Sequence, residues 1–385
     1  MTATRHPAPR TVFRIDAARY AAEPAERRGL ARDAVRLLVA DAQAGRVEHS
    51  RFHRLPDYLE PGDLIVVNDS ATVAGELPAT GTDGSPVLVH VATELDDGSW
   101  VVELRTAPDA AAPVLSGRAG QRFRLGPAGA EAAADPAPEL TLAEPYAATG
   151  GWTAVAGVPA ERGWPAERGW PAERGVRLWR ATVTGSPLAP YLARHGRPIG
   201  YGYLSGHWPL ADYQTVFGRH PGSAEMPSAG RPFTPELVTR LVASGVLIAP
   251  ITLHTGVSSQ EAGEGPQPER FTVPASTARL VNDVRRAGGR VVAVGTTVTR
   301  ALESAVGGDG MLTGRRGWTE LVLGPDQPVR VVNGLITGLH DPAASHLLLV
   351  EAVAGAELTQ RAYDAAVSAD YLWHEFGDSC LLLPG

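Results

Sequence analysis

Lysine is absent from the 385-residue chain, cysteine occurs once, at Cys380, and no run of about 18 consecutive apolar residues is present. Each absence removes a class of function. Without lysine there is no Walker A phosphate loop, no pyridoxal-phosphate Schiff base and no lysine nucleophile. With a single cysteine, an intrachain disulfide, a cysteine-rich zinc site and a three-cysteine iron–sulfur motif are all excluded. No apolar segment follows the opening "MTATRHPAPR", so a soluble, cytoplasmic protein that does not enter membranes is expected. A net charge of −7 opposes wholesale coating by nucleic acid, although it leaves room for a local arginine patch. All 35 basic residues are arginine, a usage that reflects genome base composition more than chemistry.

What is present is enough for one large or two ordinary domains, at 44% hydrophobic residues. From about Pro86 to Thr184 the pattern is short, alternating and broken by turns. "PVLVHVATELDDGSWVVELRT" predicts a hairpin turning at Asp96–Ser99. "QRFRL", "ELTL", "GWTAV" and "VRLWRATV" continue the series, and about six such strands predict a small barrel or sandwich. Within it "PAERGWPAERGWPAERG" repeats a six-residue unit three times, too short for a solenoid and read as a lengthened hairpin loop. The C-terminal half has another rhythm. "TPELVTRLVASG" predicts a helix capped by Thr234, opened by Pro235 and ended before Gly245, with an apolar stripe of Leu237, Leu241 and Val242. The segments "VLIAPITLH", "ASTARLVNDVRRAGG", "RVVAVG" and "TTVTRALES" alternate strand with helix, and "GDLIVVND" supplies a further buried strand. The expected fold is therefore an α/β main domain, layered on a mixed sheet, over 1–75 and 181–385, with a small β-barrel inserted over 76–180.

Two strand ends carry candidate chemistry. At "AVGTT" a strand ends in Gly295 and a helix starts near Thr297. The free amides and two hydroxyls of that turn suit a carboxylate or phosphate, with Arg300 one turn on to clamp the same anion. At "TLHTG", His254 sits at the carboxyl end of a strand, where α/β sheets place ligands. His340 and His346, six apart, and His374 beside Glu375 match no zinc spacing, so no metal is expected. "GYGYLSG" has no strand leading into it and is no dinucleotide fingerprint, but the surrounding loop is rich in aromatics, as binding loops are.

Taken in order, "RDAVRLLV", "PGDLIVVND", "PLAPYL", "YQTVF", "PSAGRPF", "TLHTG", "RVVAVGTTVTRALES", "NGLITGLHDP" and "FGDSCLLL" resemble the S-adenosylmethionine:tRNA ribosyltransferase-isomerase family of queuosine biosynthesis. The resemblance spans nearly the whole chain and is most specific at "AVGTT" with its downstream "RALES". It implies an α/β domain interrupted by a barrel. It also implies that S-adenosylmethionine, as co-substrate and without a metal, donates its ribosyl group to an aminomethyl-deazaguanine base in tRNA, releasing methionine and adenine. A sulfonium acidifies the adjacent ribose carbon, so one positioned base can start the rearrangement.

Carried over position by position, Thr252, His254 and Gly256 match the family's "TLH-x-G", and Gly295, Thr296, Thr297 and Arg300 match its helix-start turn. Tyr213 and Gln214 match "YQTV", while Ser228, Ala229 and Gly230 match "PTAG". His340 stands where "FHLP" has its histidine, and Glu269 is what remains of "MH-x-E". Asn68 and Asp69 align with the start of "NNTRVIPAR". His254, Glu269 and His340 are thereby the implied catalytic residues and the others the implied substrate contacts. The chain departs from the pattern too: two expected arginines are Ala71 and Glu76, a histidine is replaced by Pro232, and the loop after Gly256 is rewritten. Loss of those cations speaks against tRNA as acceptor. Three readings follow: ribosyl transfer to tRNA, the same sulfonium chemistry on a small molecule or simple cleavage of the donor, and a non-catalytic binder of adenosyl ligands or a protein partner.

Overall fold

The structure is a computed structural model that describes residues 9–126, 136–146, 176–257, 267–324, 327–342 and 344–384. The strands that are buried at every position lie inside one nine-stranded sheet. Its order is Arg315–Thr319, Glu269–Val273, Leu247–Leu253, Leu64–Asn68, Val291–Val294, Gly334–Gly338, Ser379–Leu383, Arg36–Asp41 and Arg46–Arg51. From Leu247–Leu253 through Leu64–Asn68 and Val291–Val294 to Gly334–Gly338 the pairing is parallel. Antiparallel pairs flank this block on both sides, so the sheet is mixed. Leu64–Asn68 and Val291–Val294 are buried throughout because each face meets its own core. Leu64, Val66, Val291 and Ala293 join one apolar cluster, whereas Ile65, Val67, Val292 and Val294 join the other.

The helices obey the local signals. Thr234 accepts a hydrogen bond from the Leu237 amide at 3.1 Å, opening the helix Pro235–Ala243. Leu237 and Leu241 are buried beneath it, but Val242 is 58% exposed, so the apolar stripe is narrower than its sequence suggests.

The second unit is a closed barrel in the order Leu178–Thr184, Trp100–Thr106, Pro86–Glu94, Glu76–Gly81, Arg122–Leu125 and Glu139–Pro145. Its central hairpin turns where expected, the Leu95 amide donating to the Ser99 carbonyl at 2.8 Å. The strand missing from the sequence reading is Glu76–Gly81, whose proline and glycine hide its alternation. "GWTAV" and the six-residue repeat lie outside the described residues. The helix Leu188–His195 buries Leu188, Tyr191 and Leu192 in the barrel core. Beyond it the chain returns to where it entered: the amides of Gly75 and Glu76 donate to the Arg197 carbonyl, and the Arg197 amide donates to the Glu76 carbonyl, at 2.9–3.0 Å.

The barrel buries charge on the face turned away from its apolar core, since Glu76, His90, Glu103 and Arg105 alternate with the core residues Leu77, Val89, Val91, Val102 and Leu104. Glu76, His90 and Glu103 are completely buried and Arg105 nearly so. Glu76 meets His90 Nε2 at 2.8 Å and pairs with the Arg197 guanidinium; Glu103 meets Arg105 at 2.9 Å and Arg177 at 3.2 Å. Burial alone would raise the Glu76 pKa, but His90 and Arg197 overcome it and hold the carboxyl below its ordinary value. This corrects one reading of the sequence. Glu76 makes no acidic edge toward an acceptor, because it is fully buried and compensated by His90 and Arg197.

Candidate functional site: a cavity at the strand ends

The parallel strands Val291–Val294 and Gly334–Gly338 finish side by side, and a cavity of about 220 Å³ opens beyond them. Sheets of this kind bind ligands at such a place. Gly295 has φ 94°, a backbone conformation that favours glycine. The helix Thr296–Ser304 follows with no side-chain cap, leaving its first-turn amides at the cavity with the Thr297 hydroxyl.

Beneath this turn, Glu269 and Arg300 are joined by a buried ion pair. Arg300 also donates from Nε to the Leu321 carbonyl at 3.1 Å, and from Nη2 to the carbonyls of Gln267 at 3.0 Å and Thr319 at 3.2 Å. That settles one expectation: a guanidinium bound on every nitrogen cannot clamp an anion bidentately, and Arg300 instead fixes the segment that carries Glu269. Burial raises the Glu269 pKa despite this partner. On the opposite wall, His340 shares a 2.8 Å hydrogen bond with Thr337 and stacks on His346 at 4.9 Å with planes 4° apart. Burial, reinforced by His346 and His374, holds His340 well below its ordinary pKa, and burial brings His346 to about 4. Both rings are therefore neutral at pH 7.

Nine sequence-implied residues line this cavity: Ser228, Ala229, Gly256, Glu269, Gly295, Thr296, Thr297, Arg300 and His340. Seven do not. Asn68 bonds both backbone groups of Leu253 at 2.8 and 3.0 Å, pinning neighbouring strand ends. Asp69 accepts from the Thr252 hydroxyl at 2.6 Å. His254 Nδ1 bonds Ser70 Oγ at 2.7 Å, and Ser70 in turn bonds Ser223 at 2.6 Å. Its ring lies so near Gly222 that a Cβ there would be 2.6 Å from Nδ1. Gln214 clamps the backbone of Thr72 at 3.2 and 2.7 Å, while Tyr213 packs edge-on against Phe376 and Gly230 against Thr215. These residues hold the strand ends together.

The structure adds a wall that sequence reasoning did not assemble. Tyr201, Tyr203, Glu225, His374 and Glu375 line the cavity from two distant segments. Tyr201 donates to Glu225, Tyr203 donates to Glu375 at 3.2 Å, and the Tyr203 and His374 rings stack at 4.6 Å. Burial, assisted by Glu225, pushes the Glu375 pKa up to about 8. The aromatic density of "GYGYLSG" was the signal for half of this wall; "HEF" carried none. Among the described residues no group of three or more His, Cys, Asp or Glu stands in a metal-binding arrangement, and no helix is long and apolar enough to cross a membrane.

The family described as "Queuosine biosynthesis protein" matches residues 10–382. The chain belongs to this family. Relatives named S-adenosylmethionine:tRNA ribosyltransferase-isomerase include proteins from Thermus thermophilus and Moorella thermoacetica, which are 35% and 33% identical to it. Each alignment covers 91% of this chain, and 93% and 94% of the relative respectively. The Nitrobacter winogradskyi protein of the same name is 31% identical over 97% of both. A solved S-adenosylmethionine tRNA ribosyltransferase from Thermotoga maritima is 26% identical, with a TM-score of 0.49 over 96% of this chain and 99% of that one.

Proposed function

We propose that this chain is a ribosyltransferase-isomerase that takes the ribosyl group of S-adenosylmethionine and delivers it to a deazaguanine base in tRNA, working in the cytoplasm. The observation that carries the reading is the cavity beside Gly295. It brings an uncapped helix start, suited to the donor's carboxylate, together with neutral imidazoles and raised carboxyls suited to proton transfer. The barrel insertion, expected over 76–180 between main-domain segments 1–75 and 181–385, runs on through the strand Leu178–Thr184 and the helix Leu188–His195, and the pocket is lined from Tyr201 onward.

In this reading Gly295, Thr296 and Thr297 grip the amino-acid end of the donor, with Ser228, Ala229 and Gly256 shaping the wall. His340, neutral and oriented by Thr337, takes the proton from the ribose carbon next to sulfur. Glu269, held by Arg300 and the Gly256 amide at 3.3 Å, protonates a departing group. His254 acts from outside as a positioning residue. Asn68, Asp69, Thr252, Tyr213, Gln214 and Gly230 set the strand ends rather than touch substrate. The small-molecule alternative drew on the arginines replaced by Ala71 and Glu76; buried Glu76 adds no acidic edge, but neither position supplies the missing cation.

The test measures adenine and methionine released by the purified protein with and without tRNA bearing the deazaguanine precursor. Release that depends on the RNA is expected. Release at the same rate without it would replace tRNA by another acceptor or by water, and no release in either case would overturn catalysis.

A further inference from the structure

Among the described residues three imidazoles line the cavity, and their surroundings differ. His340 is tied to Thr337 and stacked on His346, and burial leaves both rings weak bases. His374 is held in another way. Its backbone has φ 70°, in the left-handed region that a residue other than glycine enters only under strain, and strain of this kind gathers at functional sites. The ring lies between Tyr20, at 4.7 Å, and Tyr203, at 4.6 Å with planes 18° apart. Its Nε2 stands 3.2 Å from Asp341 Oδ2, while Nδ1 has no hydrogen-bond partner among the described residues and is not sealed from solvent. A ring fixed on both faces and at one nitrogen presents the other nitrogen in a set direction. Asp341 stands at the leucine of the "FHLP" pattern, so the pair belongs to this chain. Other titratable groups face it. Tyr20 stays a neutral phenol, raised to about 12 by burial and by Asp341. Glu375 is raised to about 8 by burial and by Glu225, against the opposing pull of Tyr203 and Arg231.

The proposed reaction leaves one proton without a taker. His340 and Glu269 serve the donor, but an alkyl amine such as the aminomethyl group of the deazaguanine arrives as an ammonium, which has no lone pair with which to attack. We propose that His374, oriented by Asp341, is the base that takes this proton from the acceptor. The inference rests on ribosyl transfer to an amine as the reaction. One N–H bond breaks, its electron pair stays on the acceptor nitrogen as the nucleophilic lone pair, and the proton bonds to His374 Nδ1. The imidazolium so formed stands against the Asp341 carboxylate and between two tyrosine faces, which stabilise it. Asp341 acts through the ring and is a positioning residue. His346, at about 4, is too weak a base for the task.

The experiment measures transfer of a labelled ribosyl group to precursor tRNA by the full chain from about pH 6 to about pH 9, with calorimetric binding of S-adenosylmethionine alongside. His374→Phe keeps a ring between the tyrosines and removes both nitrogens. It is expected to lower the rate roughly 100-fold near pH 7, with donor affinity within about twofold of wild type. Its rate should climb with pH more steeply than that of wild type, as free amine becomes abundant. His374→Gly suits the backbone at φ 70° and leaves room for a small base, so added imidazole is expected to raise its rate about tenfold. Asp341→Asn should lose about tenfold with a similarly steep pH profile. A His374→Phe rate within about threefold of wild type, a loss that does not ease at high pH, or a His374→Gly variant unmoved by imidazole overturns the base and leaves ribosyl transfer intact. Should neither His374 variant fold, Asp341→Asn decides, and a wild-type rate and profile overturn the pair. Wild type that labels no tRNA overturns the amine acceptor itself, an outcome read without any variant.

Discussion

Two clusters of buried charge occupy this molecule and are composed differently. In the barrel, two carboxylates, Glu76 and Glu103, face three guanidiniums, Arg105, Arg177 and Arg197, with His90 between them. Four carboxylates, Glu225, Glu269, Asp341 and Glu375, stand around the cavity, where Arg300 pairs with Glu269 and His374 meets Asp341. The first set pairs within itself under the segment that carries Arg197 and Tyr201, so its energy goes into shape. The second borders a void, and burial raises the pKa of both Glu269 and Glu375 there. The same residue types therefore serve architecture in one place and recognition in the other, and whether a void adjoins them decides which.

That contrast can be broken most forcefully in the barrel. Glu103→Ala strands Arg105 and Arg177 without their carboxylate and is expected to cost about 3–5 kcal/mol of stability, read from chemical denaturation. A loss below about 1 kcal/mol would mean that the barrel charges do not hold the fold. In the cavity the order of effects should reverse. Arg300→Lys cannot reproduce four directed contacts, so adenine release is expected to fall about 100-fold while the denaturation midpoint moves less than in Glu103→Ala. Equal damage to stability and no damage to turnover would erase the distinction.

pH sharpens the comparison through its sign. Glu76 is held below the ordinary 4.5, so its stabilisation is present above that value and lost as pH falls through the lowered pKa. Glu375 is raised to about 8, so the folded chain binds more protons than the unfolded one between 4.5 and 8. Stability therefore falls as pH rises across that window. Glu76→Gln should flatten the acid limb of a stability profile, and Glu375→Gln should be more stable than wild type at pH 8 and level with it near pH 4.5. Slopes of the same sign would remove the difference between the clusters. The smallest effect belongs to His254→Ala, which removes one hydrogen bond to Ser70: about 1 kcal/mol and less than a threefold change in turnover. Complete loss of turnover would return acid–base chemistry to His254.

What the sequence made legible was whatever depends on neighbours in the chain. Thr234 with Pro235, the Asp96–Ser99 turn and the strand-to-helix passage through Gly295 each announce themselves within a few residues, and each lies where it was read. The family pattern likewise picked out the Gly295 turn, Glu269 and His340, which come together at one cavity. It did not say which conserved-looking groups face outward. Asn68, Gln214 and His254 carry polar side chains at strand ends, and only their distant partners Leu253, Thr72 and Ser70 show that they tie backbone together. Arg300 reads as free until Glu269, thirty-one positions earlier, is placed beside it. The Glu225–Glu375 wall is the extreme case, since 150 residues separate its two halves and neither has a local motif.

The meeting of Gly75 and Glu76 with Arg197 has a further meaning. The outgoing and incoming threads of the barrel touch at its base, so the sheet meets that module as though it were a single decorated loop. Lengthening, shortening or exchanging what lies beyond the knot leaves the pairing order of the nine strands unaltered. Freedom to remodel ends at the barrel face that carries His90 and Arg105, because Tyr201 at the pocket leans on both.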